Sequence, residues 1–109
     1  MGDNSAAPNE RAEISRLACD PTKVRITKTV EYDLLAHHLT KKDVCDEIVA
    51  WIDSGDRVKK GTLRGQHAGQ AAFEMKPRIN DTLFYLKLTL CELGQPGEYM
   101  LLVSVHPDH

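Results

Sequence analysis

Lys76-Pro77-Arg78-Ile79-Asn80-Asp81-Thr82-Leu83-Phe84-Tyr85-Leu86-Lys87-Leu88-Thr89-Leu90 alternates with period two, and that alternation decides the fold. Successive side chains of a strand point to opposite faces, so Phe84, Leu86, Leu88 and Leu90 share one face and Tyr85, Lys87 and Thr89 the other. The first row is apolar and belongs in a core. A merely solvated strand would be served by Glu, Ser or Thr, so a phenol and an ammonium, approached through Lys76 and Arg78, mark a surface suited to an anion.

Working outward, the same stretch lies in a basic block. Residues 57–87 hold seven Lys/Arg against two Asp/Glu, whereas residues 1–56 hold seven against eleven and residues 88–109 none against three. The formal net charge of −2 therefore conceals a cationic middle on an acidic scaffold, and clustered cations rather than a basic total are what neutralise phosphates. RNA is the anion expected here; a plain solvated basic face is the competing reading.

Strand signals continue on both sides: residues 57–63, a Gly-rich turn at 65–69, residues 70–79, a tight turn at Asp81-Thr82, residues 83–90, a loop at 94–97 and residues 99–106. Helical patterns precede them. Asn9 is placed to cap a helix over 10–19 with Ala12, Ile14, Leu17 and Ala18 inward. Asp20-Pro21 ends it, and 23–27 reads as a short strand or extended arm. A second helix over 29–38 turns Leu34 and Leu35 inward. Thr40-Lys41-Lys42-Asp43 is a capping-box start for the best helix, with Val44, Cys45, Ile48, Val49 and Ile52 on one stripe and Gly55 at its C-terminal stop. Helices first and antiparallel strands after them predict an α+β fold, with N-terminal helices on one face of a four-stranded, mainly antiparallel sheet and the other face free for a ligand. Residues 1–8 read as a disordered tail and residues 9–109 as a single domain.

The three cysteines, Cys19, Cys45 and Cys91, sit in apolar patterns and read as buried thiols of a reducing cytosol. No CxxC occurs and His37-His38, His67, His106 and His109 lack ligand spacing, so neither a metal nor a cofactor is expected. The polar start and the lack of a run of about 20 apolar residues lead to the expectation of a cytoplasmic protein without a membrane partner. His37-His38 reads as a helix end, Lys41-Lys42 as a solvated first turn, Tyr32 and Tyr99 as partial core, and Trp51 as core or rim. Arg64 and His67 lie in the Gly-rich turn, which reads either as a mobile loop that touches phosphate or base or, equally, as a plain surface turn.

Val24-Arg25 with Thr27, the capped helix, Lys60, Lys76-Pro77-Arg78, Tyr85-Leu86-Lys87 and Leu102-Val103-Ser104 together resemble the MqsR family of bacterial toxins over roughly residues 10–106. The resemblance implies a RelE-like α+β fold and a metal-independent endoribonuclease that cleaves messenger RNA and is held inactive by a cognate antitoxin. It also implies catalytic roles for Lys60 and Tyr85. Two positions depart: a family glutamine falls on Ala72, with Gln70 as a substitute on the same strand face, and a family lysine falls on His106.

The chemistry fits these residue types. Metal-free RNA cleavage uses the adjacent 2′-hydroxyl as nucleophile, so a site must accept its proton, stabilise the phosphorane and protonate the 5′-oxygen, leaving a 2′,3′-cyclic phosphate and a 5′-hydroxyl. Lys60, Tyr85 and His106 are the catalytic candidates, His106 as the base, with a frayed terminus as the competing reading of that histidine. Arg64, Gln70, Lys76, Arg78 and Lys87 are the RNA-binding candidates. Such a site requires the Lys60 ammonium and the Tyr85 phenol on one side of the sheet, within reach of one phosphodiester. A non-catalytic member of the same fold that binds a protein or RNA is the alternative. A small Tyr-Lys enzyme acting on a metabolite is a remoter one, without a Gly-rich phosphate loop to support it.

Overall fold

Among the described residues three α-helices precede the main run of strands, and side-chain caps open the second and third. The computed structural model describes residues 4–65 and 68–108, so His67 and His109 lie outside the described residues. Helix α1 (Pro8–Ala18) begins two residues earlier than the sequence predicts: Pro8 takes the first helical position, where its missing N–H costs nothing. The Glu10 carboxylate, rather than Asn9, accepts the free Ala7 amide at 2.9 Å. A 3-10 turn (Pro21–Lys23) follows, then strand β1 (Val24–Ile26) and helix α2 (Lys28–Ala36), capped by Thr27. Helix α3 (Lys41–Asp53) has the expected box, with Thr40 Oγ1 accepting from the Asp43 amide at 3.1 Å and Asp43 accepting from the Thr40 amide at 2.8 Å. Gly55 follows at φ 81°, the left-handed geometry wanted there.

Strands β2 (Lys59–Thr62), β3 (Ala71–Met75), β4 (Arg78–Ile79), β5 (Thr82–Cys91) and β6 (Tyr99–Pro107) complete the chain. The sheet runs β1-β6-β5-β3-β2, with β1 parallel to β6, the other pairs antiparallel, and β4 paired to β5. The fold is α+β, and among the described residues the open, mixed sheet has six strands instead of four. The arm at 23–27 supplies β1. The predicted strand over 70–79 divides at Lys76-Pro77, because proline has no N–H to donate to a ladder. The β4–β5 turn is Asn80-Asp81, one residue earlier than predicted; φ of 51° and 65° match the two positive values of a type I′ hairpin turn.

Residues 4–7, expected to belong to a disordered tail, run along the outer edge of β2. Ser5 bridges Lys59, the Ala6 amide donates to the Val58 carbonyl at 2.8 Å, and the Lys60 amide donates to the Asn4 carbonyl at 2.5 Å. Ile14, Leu17, Val30, Leu34, Val44 and Ile48 from the helices meet Phe73, Met75, Phe84, Leu86, Leu88, Met100, Leu102 and Val105 in one core. Opposite Lys87-Leu88 the partner strand passes from Ser104 to Leu102, so Val103 is an extra residue. This bulge lets Val105 and Leu102 both face the core despite their odd spacing.

Some apolar side chains expected inside lie outside. Leu35 and Tyr32 on α2 are 68% and 67% exposed, because Val30 and Leu34 already supply the face that α2 turns to the core. Cys19 is exposed at the C-terminal cap of α1, while Cys45 and Cys91 are buried and burial pushes the Cys45 thiol up to about 11. Tyr99 is half-buried beneath the Arg25 guanidinium, 4.0 Å from its ring. Among the described residues no helix is long and apolar enough to cross a membrane.

Candidate functional site

Register decides which cations can meet Tyr85. Cross-strand partners share a face; β2 pairs Lys60 with Phe73 and Lys59 with Glu74, and β3 pairs Phe73 with Leu88 and Glu74 with Lys87. Phe73 and Leu88 are core residues on the side the helices cover. Lys60 therefore projects toward α1, where its ammonium donates to Glu10 Oε2 at 2.6 Å, while Tyr85 and Lys87 face the other way. The expected catalytic pairing of Lys60 with Tyr85 is overturned: the two stand on opposite sides of the sheet, and Lys60 ties β2 to the first turn of α1.

The opposite face gathers a different set. The Tyr85 hydroxyl donates to Glu74 Oε1 at 2.6 Å. Its ring lies 5.3 Å from that of His106, its partner on β6, and the Lys87 ammonium lies 6.0 Å from its centroid. His106 is part of a paired strand rather than a frayed end, with Nδ1 3.0 Å from the Pro107 carbonyl. Arg78 shares this face as the partner of Leu83, and its guanidinium donates to the Asp81 carbonyl at 3.3 Å. Lys76 is exposed and pairs with Asp108 at 3.3 Å. Among the described residues neither Lys59 nor Lys87 has a carboxylate partner.

A groove of about 380 Å³ at one end of this face is lined by Trp51, Lys59, Glu74, Lys76, Tyr85 and Asp108, with Arg57 and Met75. Burial, and then the bond to the Glu74 carboxylate, push the Tyr85 phenol well above its ordinary value of 10. Tyr85 is accordingly a neutral donor at physiological pH and not a proton acceptor. Trp51 stands at the rim, half-buried, its indole N–H donating to the Arg57 carbonyl at 3.0 Å.

Two other candidates stay apart from this set. Arg64 is exposed in the loop after β2, and Gln70 is half-buried just before β3, its carbonyl accepting the Leu63 amide at 2.9 Å. Ala72 is opposite Gly61 and buried. Thr89, in the same row as Tyr85, is fully buried, with its hydroxyl donating to the Ala71 carbonyl at 2.7 Å. Lys59 and Glu74 are the residues that reading the sequence missed. Glu74 carried a signal, being one of only two acids in the basic block 57–87. Lys59 carried none, since adjacent lysines in one strand are told apart only by register.

Among the described residues no three His, Cys, Asp or Glu side chains are grouped to hold a metal ion. The chain matches no family profile, no curated protein and no solved structure.

Proposed function

We propose that the protein binds single-stranded RNA on the open face of its sheet. The observation that carries this reading is the row Lys59, Glu74, Lys87 beside the Tyr85–His106 ring pair, on the face opposite the helical core. Unpaired bases stack on aromatic faces and cations track the phosphates between them, a combination that many sheet-based RNA binders share. This is the binding form of a RelE-like domain. Lys60, held by Glu10, is not required for it.

Fluorescence anisotropy with a single-stranded RNA oligomer tests the reading. Lys59→Ala and Lys87→Ala are expected to weaken binding several-fold, and Lys60→Ala to leave it unchanged. Absence of binding by the wild type, or equal affinity in all three variants and the wild type, would reject it.

A second reading, a metal-independent endoribonuclease toxin of the cytoplasm restrained by a cognate antitoxin, is favoured by one observation. Carboxylate, phenol and imidazole stand together in Glu74, Tyr85 and His106. In that reading Glu74 accepts the 2′-hydroxyl proton, His106 protonates the departing 5′-oxygen, and Lys59 and Lys87 stabilise the phosphorane. His106 thus acts as the acid, not the base that the sequence suggested. Cleavage of RNA in chelator, abolished by Glu74→Gln and His106→Ala but retained in Lys60→Ala, supports it. Intact RNA after incubation with the wild type, and unimpaired growth of a host expressing the chain alone, leave the binding reading in place.

A further inference from the structure

Two carboxylates, Glu74 and Asp108, line a groove otherwise edged by Arg57, Lys59 and Lys76. A surface that only collects phosphates gains nothing from them, because each repels the backbone it meets. Both are held in place: Glu74 Oε1 accepts the Tyr85 phenol at 2.6 Å, and Asp108 Oδ2 lies 3.3 Å from the Lys76 ammonium. Each retains lone pairs directed elsewhere, since an ionised carboxylate has about four acceptor sites. Trp51 also lines the groove, its indole N–H donating to the Arg57 carbonyl. The volume of about 380 Å³ suits one nucleoside.

An acceptor-only group recognises a donor-rich edge. The pairing edge of guanine places N1–H and the N2 amino group side by side, so one carboxylate can take both. Adenine and cytosine set a single amino group beside an acceptor, and uracil sets one N–H between two carbonyls. We propose that the groove between Trp51 and Tyr85 receives a guanine of the bound RNA, with Glu74 accepting N1–H and N2–H while Lys59 and Lys76 hold the flanking phosphates. The assignment rests on the RNA-binding reading and adds to it a base preference.

The test titrates the full chain with three oligomers: octauridylate, the same oligomer with one central guanosine, and the same with inosine, which lacks the 2-amino group. The guanosine oligomer is expected to bind roughly tenfold more tightly than octauridylate, with inosine between them. Glu74→Gln is expected to erase that order. The inosine comparison needs no variant, so it stands even where a substitution disturbs folding. Equal affinity for the three oligomers, with Lys87→Ala still weakening all of them, overturns the guanine pocket and spares RNA binding. Failure of all three to bind overturns both.

Discussion

Glu10 ties the start of α1 to β2, its two oxygens accepting the Ala7 amide and the Lys60 ammonium. Burial raises its pKa, but the bonds from Lys60 and Ala7 outweigh that, and the carboxyl ends below its ordinary 4.5. A folded-state pKa below the unfolded one contributes stability that is present above about 4.5 and is lost as pH falls through the folded value. Lys60→Ala is expected to cost about 0.5–1 kcal/mol at pH 7, discounted because the Lys60 side chain is 40% exposed. Urea midpoints measured at pH 7 and pH 3 check it: the gap between variant and wild type should narrow at the lower pH. Lys59 and Lys87 differ from Lys60 in facing away from the helices. Each alanine substitution there is expected to reduce the salt dependence of RNA affinity by about 0.7 in slope, the single-strand value per phosphate contact. Lys60→Ala should leave the slope alone, and titrations between low and moderate salt measure it.

Among the elements, α3 owes its start to two reciprocal bonds between Thr40 and Asp43. Thr40→Ala removes the side-chain acceptor of the Asp43 amide and is expected to destabilise the fold by about 1 kcal/mol, visible as a lower thermal midpoint at unchanged helix content. The effect reaches the core because Val44, Cys45 and Ile48 follow directly in the first two turns. That helix was legible in the chain since capping and a 3.6-residue stripe are local properties. The boundaries of α1 and the division of the 70–79 strand were less so: Pro8 and Pro77 each act through the one N–H they lack, and which bond that omits depends on neighbours. The sequence predicts Leu35 inward beside Leu34, but α2 meets the core through Val30 and Leu34, leaving Leu35 in solvent.

At the scale of the molecule, β5 and β6 lie at the centre of the sheet, while β1 and the segment at residues 4–6 lie on its margins. Hydrogen exchange should follow this layering: the amides of Leu86, Leu88 and Leu102 are expected to open only with global unfolding, and those of Ala6 and Lys60, bonded to the edge strap, by local opening. Mass spectrometry or NMR exchange rates distinguish the two classes. From its residues alone the chain determined an α+β order, a capped third helix, and a row in which Tyr85 and Lys87 face away from Phe84, Leu86 and Leu88. Those follow from alternation and capping, which operate within a few residues of each other. Only the tertiary structure decided which lysine stands with Tyr85, that Glu74 joins it, and that His106 closes the set from the last strand. Side chains in a strand repeat every second residue, so one step of register exchanges Lys59 for Lys60, and that step is set by pairing across the sheet and by the helices packed on it.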